Sequence, residues 1–150
     1  MERIESFNVD HTTLKRGMYV SRTDGDIVTY DIRMRIPNTE PVINNAPIHT
    51  IEHLFATFVR NSEHKGNIVY FGPMGCRTGF YFLTRGISHS DALALTVQAF
   101  EFISQYGGEV PGVSAAECGN YKEHNLEEAK AEAKAQYKLL SGWTVNNMIY

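Results

Sequence analysis

Scarcities narrow the possibilities first. Only two cysteines, Cys76 and Cys118, occur in 150 residues, too few for a disulfide scaffold. No apolar run approaches the ~18 residues that a membrane span needs. The opening Met1-Glu2-Arg3-Ile4-Glu5-Ser6 alternates charge with apolar groups and contains no secretory apolar core. A basic excess is also missing, since 14 Lys and Arg face 17 Asp and Glu for a net charge of −3. That balance argues against nucleic acid or an anionic membrane as partner. No internal repeat or low-complexity tract interrupts the chain. What is present, 43% hydrophobic and 21% charged residues, is an ordinary globular mixture able to build a core. The expectation is one soluble, cytoplasmic domain spanning 1–150.

Periodicity then places the elements. Val28, Tyr30, Ile32, Met34 and Ile36 alternate with Thr29, Asp31, Arg33 and Arg35, which predicts a half-buried strand over 27–36 with Arg33 on its polar face. Met18-Tyr19-Val20 and the turn Thr23-Asp24-Gly25-Asp26 make a hairpin with it, and Pro37 and Pro41 close the strand. A helix is expected from Pro47, as its first residue, to about Asn61. Strands follow at 67–71 and 79–84, with a Gly- and Pro-rich irregular stretch over 72–78. Helices are predicted over 88–105, with Ser88 and Asp91 at capping-box spacing, and over 125–140, acidic at its start and basic at its end. The order β-β-α-β-β-α-α reads as an α+β fold, an antiparallel sheet with helices on one face.

The chemically informative segment is His49-Thr50-Ile51-Glu52-His53. Histidines four apart project from one helix face and can share a metal ion, and Glu52 flanks them, the reversed zinc motif His-x-x-Glu-His. At ~100° per residue, His49 and His53 lie nearly opposite an apolar stripe centred near ~210°. That face could equally be solvated. A catalytic metal site wants a third protein ligand, and Cys76, Cys118, His11, His64, His89 and His124 are the candidates. Spacing does not choose among them. A Cys76–Cys118 disulfide is disfavoured in a reducing compartment.

Longer motifs bring a family into view. His-Thr-Ile-Glu-His-Leu at 49–54, Gly-Pro-Met-Gly-Cys-Arg-Thr-Gly-Phe-Tyr at 72–81, and Cys118-Gly119 followed by His124-Asn125-Leu126-Glu127 resemble the S-ribosylhomocysteine lyases, the LuxS family. Glu5-Ser6-Phe7-Asn8-Val9-Asp10-His11 and Tyr30-Asp31-Ile32-Arg33 match as well. The resemblance implies a metal held by His49, His53 and Cys118, with iron(II) as the native ion and zinc or cobalt as substitutes. It assigns Cys76 and Glu52 to acid–base work, and Ser6, His11 and Arg33 to the sugar pocket. It further implies a homodimer with its active sites at the interface. The implied activity belongs to the bacterial methyl cycle, and its product becomes the quorum-sensing signal autoinducer-2.

The implied chemistry suits these residue types. S-ribosylhomocysteine opens to an aldose whose carbonyl migrates along the ribose before the thioether leaves. Each migration removes a proton beside a carbonyl, and a Lewis acid stabilises the resulting charge. A Cys76 thiolate, favoured by a nearby cation such as the metal or Arg33, can carry that proton. Glu52 can move protons between oxygens and help expel homocysteine. The sequence departs from the family pattern at Tyr70, Phe71 and Gly72, where many members carry Asp, an aliphatic residue and Ser. That stretch is expected near the homocysteine portion of the substrate. The alternatives are a metallohydrolase in which Glu52 activates water, or a metal-binding module without turnover.

Overall fold

In the computed structural model, which describes residues 1–150, strands β1 (Gly17–Asp24) and β2 (Ile27–Arg33) form the expected hairpin. The two-residue turn Gly25-Asp26 joins them, and Gly25 takes the left-handed φ of 61° that such turns require. Helix α1 (Asn45–Arg60) follows, then strands β3 (Ile68–Pro73) and β4 (Gly79–Arg85), and helices α2 (His89–Ser104) and α3 (Leu126–Leu140). The four strands make one antiparallel sheet in the order β1-β2-β4-β3. The α+β architecture is therefore the expected one.

Register places two different faces on this sheet. Met18, Ile32 and Phe80 pair across it in one row, and Tyr30, Phe82 and Phe71 in the next. All six are buried in a core shared with Ile51, Leu54 and Phe55 of α1, Phe100 of α2, and Ala129 and Ala133 of α3. Side chains of this kind each contribute about 1.5–3 kcal/mol on full burial, so the helical layer is held firmly to this face. The other face carries Tyr19, Asp31, Tyr81 and Gly72 in one row and Thr29, Leu83 and Tyr70 beside it. None of the three α-helices packs on that face.

Several boundaries shift for local reasons. The strand predicted over 27–36 ends at Arg33, because Met34 and Arg35 turn their N–H groups to the carbonyl of Thr78 (2.8 and 3.0 Å). Pro47 is the third helical residue of α1 instead of the first. The first three N–H groups of a helix lack intrahelical partners, so proline is tolerated throughout that turn. Gly72 and Pro73, expected to be irregular, extend β3 opposite Tyr81 and Phe80. Because β3 is an edge strand, the missing N–H of Pro73 breaks no ladder. The caps of the later helices match their sequence signals: Ser88 accepts from the N–H of Asp91, and Asn125 accepts from that of Glu128, both at 3.0 Å.

Candidate metal and acid–base site

Helix α1 buries Ile48, Ile51, Leu54, Phe55 and Val59 and leaves His49 and His53 half-buried on another face. The 110–125 segment closes over that face. Its anchor is Thr50, whose hydroxyl donates to the carbonyl of Ala46 (3.1 Å) and accepts the N–H of Asn125 (3.0 Å). Asn125 also caps α3, so the start of that helix is pinned to α1 and His124 is brought against the two histidines. Cys118 arrives from the preceding loop, with its sulfur 3.4 Å from Nε2 of His49. Four ligand atoms, from His49, His53, Cys118 and His124, thus lie within 4.8 Å of one another.

Hydrogen bonding orients every ring in this group. Nδ1 of His49 faces the carbonyl of Glu123 at 2.9 Å, and Nδ1 of His53 faces that of Pro111 at 2.7 Å. A carbonyl only accepts, so each Nδ1 carries the proton and each Nε2 keeps its lone pair. Nδ1 of His124 meets the Thr50 hydroxyl at 3.0 Å. With the single hydroxyl hydrogen spent on Ala46, Nδ1 of His124 must be the donor, and its Nε2 also holds a lone pair. That Nε2 is buried and has no partner. Burial first, then the neighbouring His49 and His53, depress the His124 pKa to about 4. The sulfur of Cys118 additionally faces the N–H of Asn120 at 3.4 Å. Close approach matters here: Gly112, at φ 74°, lies against His53, and an added Cβ would stand 3.3 Å from Nδ1. Three imidazole nitrogens and a thiol sulfur within 4.8 Å of one another are donors suited to a borderline divalent cation such as Zn²⁺ or Fe²⁺.

Among the six candidates for a third ligand, the structure brings Cys118 and His124 to the pair. His11 turns Nδ1 to the carbonyl of Val9 (2.8 Å), His64 sits beside Glu63 (3.7 Å), and His89 bonds the Tyr30 hydroxyl (2.8 Å). Cys76 and Cys118 are both free thiols. Glu52 is half-buried on α1, enters no ion pair, and lies outside the four clustered ligands.

Cys76 is exposed in the turn between β3 and β4, its sulfur 3.0 Å from Oγ1 of Thr78. Arg33 donates to the same oxygen from Nη1 at 2.8 Å, and to both oxygens of Asp31 from Nε (3.1 Å) and Nη2 (2.6 Å). The Tyr150 hydroxyl donates to Asp31 at 2.6 Å, and its ring stacks on Tyr19 with centroids 5.1 Å apart. Burial and the Asp31 carboxylate raise the Tyr150 pKa well above the ordinary phenol value. The polar side of β2 is therefore closed to solvent here: Asp31 is 1% and Arg33 2% exposed. Alternation cannot reveal that Tyr150 and Thr78, distant in sequence, close over this ion pair.

Ser6 stands in a one-turn 3₁₀ helix (Glu5–Phe7) and lines a cavity of about 430 Å³ with Tyr70, Tyr81, Arg22 and Glu5, on the sheet face that no α-helix covers. No hydrogen bond joins Ser6, His11 and Arg33 to one another. The departures at 70 and 72 are linked, since a Cβ on Gly72 would stand 2.1 Å from the Tyr70 hydroxyl. The tyrosine occupies room that a larger residue at 72 would need. A larger cavity, about 620 Å³ between the end of α1 and α2, is lined by none of the clustered ligands and not by Cys76.

The chain resembles known proteins over its whole length. Curated relatives named S-ribosylhomocysteine lyase from Finegoldia magna, Clostridium acetobutylicum and Porphyromonas gingivalis are 47%, 49% and 50% identical to this chain. Each alignment covers 100% of this chain and 99% of the relative. The profile of the S-ribosylhomocysteinase (LuxS) family matches residues 4–146, and the chain belongs to that family.

Proposed function

We propose that this protein is a metal-dependent S-ribosylhomocysteine lyase, cleaving its substrate to homocysteine and the dihydroxy-pentanedione precursor of autoinducer-2. The observation that carries the reading is the cluster of His49, His53, Cys118 and His124, whose ligand atoms lie within 4.8 Å of one another. His49, His53 and Cys118 hold the ion, with iron(II) as the native metal and zinc or cobalt as substitutes. The bound ion supplies Lewis acidity, which lowers the cost of negative charge on the sugar oxygens as a neighbouring carbon loses its proton.

Cys76 is the group that takes the proton from one carbon and returns it to the next. Its exposed sulfur can reach a substrate, and Arg33 is linked to it through the Thr78 hydroxyl. Glu52, free of any ion pair, moves protons between the sugar oxygens. In the last step it assists β-elimination, in which the Cα–H electrons form the new double bond and homocysteine departs as its thiol. Ser6, His11 and Arg33 line the sugar pocket. Three of the five N–H donors of Arg33 are taken by Asp31 and Thr78, and the remaining two are what it offers substrate.

A second copy of the chain completes each site. Support comes from the sheet face that no α-helix covers, where Ile4 and Tyr70 line one cavity and are 57% and 52% exposed. A two-fold dimer covers such a face twice with one surface. No helix is long and apolar enough to cross a membrane. A ligand thiol and a working thiol both need reducing conditions, which fits a cytoplasmic enzyme. The metallohydrolase alternative is not favoured, because no carboxylate joins the cluster.

A thiol-reagent assay tests the reading. Ion-loaded protein supplied with S-ribosylhomocysteine should release one free thiol per substrate consumed. Peptide cleavage without thiol release would place the protein among the hydrolases, and neither activity would make it a binding module.

A further inference from the structure

We propose that Thr78 is a positioning residue for Cys76: its hydroxyl, oriented by Arg33, donates its hydrogen to the sulfur and holds it as a thiolate aimed at the substrate. The inference rests on the reading of Cys76 as the carbon-acid base and names the group that prepares it.

The donor inventory leaves one consistent arrangement. Oγ1 of Thr78 has two partners, Nη1 of Arg33 at 2.8 Å and Sγ of Cys76 at 3.0 Å. A guanidinium only donates, so Arg33 occupies one lone pair of the oxygen, and the hydroxyl hydrogen must go elsewhere. Sγ of Cys76 is the other atom within reach. Were the sulfur a thiol donating to Oγ1, the hydroxyl hydrogen would have no acceptor. The sulfur therefore accepts the hydroxyl hydrogen, and it accepts best as a thiolate. A charge-assisted bond of this kind is also the stronger one. Arg33 thus acts on the sulfur through Thr78, while Asp31 neutralises the guanidinium on its far side.

The backbone holds Thr78 still. It is 5% exposed, and its carbonyl accepts from the N–H groups of Met34 and Arg35. The next residue, Gly79, packs so tightly that a Cβ would lie 2.1 Å from the carbonyl oxygen of Ile32. Arg77, on the other side, adopts φ 59°, a conformation a non-glycine residue takes at some cost. The turn therefore presents Cys76 while fixing the hydroxyl beneath it. The titratable and charged groups facing the sulfur are Arg33 with Asp31 from β2 and Tyr81 from β4. Arg77 of the same turn points to Asn45.

The test is the pH profile of Cys76 alkylation in ion-loaded enzyme, with Cys76 and Cys118 distinguished by peptide mass spectrometry. Thr78→Val keeps the shape and removes the hydroxyl, so the labelling midpoint should rise by about one pH unit or more, as loss of a hydrogen bond to the charged form requires. Turnover should fall through kcat with KM unchanged. Thr78→Ser should follow the wild type in both. A Thr78→Val profile superimposed on wild type would overturn the inference, as would a Thr78→Ser profile shifted as far as that of Thr78→Val. If the valine variant does not fold, Thr78→Ala replaces it in the same comparison. Failure of the underlying reading looks different: Cys76→Ala would then retain turnover, whatever the labelling profiles show.

Discussion

The four clustered ligands and the Asp31–Arg33–Thr78–Cys76 chain are two polar assemblies in one small protein, balanced in opposite ways. In the first, every imidazole turns its proton outward, to a carbonyl or a hydroxyl, and its lone pair inward. No carboxylate and no cation join it, and one inward nitrogen is buried without a partner. An orphaned buried polar atom is costly unless something satisfies it, and this one lies beside the three residues proposed to hold the cation. In the second, a buried guanidinium meets a buried carboxylate, and Thr78 and Tyr150 each add one hydrogen bond to the pair. Its two charges are paired within the fold, and the sulfur of Cys76 at its end is exposed. One assembly is built to receive charge and the other to hold a reactive group in place.

That contrast can be broken by variants that touch one assembly alone. The largest effect is expected for Cys76→Ala, with homocysteine release falling by roughly 10²–10⁴-fold, the usual contribution of an acid–base group. Glu52→Gln should fall comparably, since it keeps the shape of the side chain and loses the proton. Activity near the wild-type level in either variant would remove that residue from the mechanism. Next in size is Asp31→Ala, which strands the Arg33 charge. Breaking one partner of a buried pair costs about 3–5 kcal/mol, readable as a lowered denaturant midpoint. A loss within experimental error would mean that solvent reaches the guanidinium.

The smallest effect sharpens the comparison through pH. Tyr150→Phe deletes the hydrogen bond to Asp31 and should cost about 1–3 kcal/mol near neutrality, the range for a bond to a charged group. The folded-state pKa of Tyr150 lies above its unfolded value. Its contribution is therefore complete below about pH 10, the ordinary phenol value, and is lost as pH rises beyond it. Denaturation curves of wild type and Tyr150→Phe should converge in that alkaline range. A difference that stayed constant with pH would mean that the hydroxyl is not bonded to the carboxylate.

Much of this was legible in the sequence, and the failures share a cause. Alternation and helical spacing located all four strands and three helices, with ends displaced where a tertiary partner intervened, as Thr78 does beyond Arg33. The histidine pair of α1 was visible because both residues lie on one helix. His124 was only one of six candidates, since its position depends on Thr50 anchoring the start of α3 across 75 residues of sequence. The burial of Asp31 and Arg33 was hidden for the same reason: the residue that covers Asp31 lies 119 positions away. The Thr78 hydroxyl gave no signal at all, because its importance lies in which hydrogen it has left to give.

The central claim is that the ion belongs to the histidine–cysteine cluster and the proton chemistry to Cys76. Metal content measured side by side in anaerobically purified Cys118→Ala and Cys76→Ala tests it most directly. The account predicts that Cys118→Ala loses the ion and the activity together, while Cys76→Ala keeps about one divalent ion per chain and turns nothing over. An ion lost from Cys76→Ala, or fully retained in Cys118→Ala, would contradict it.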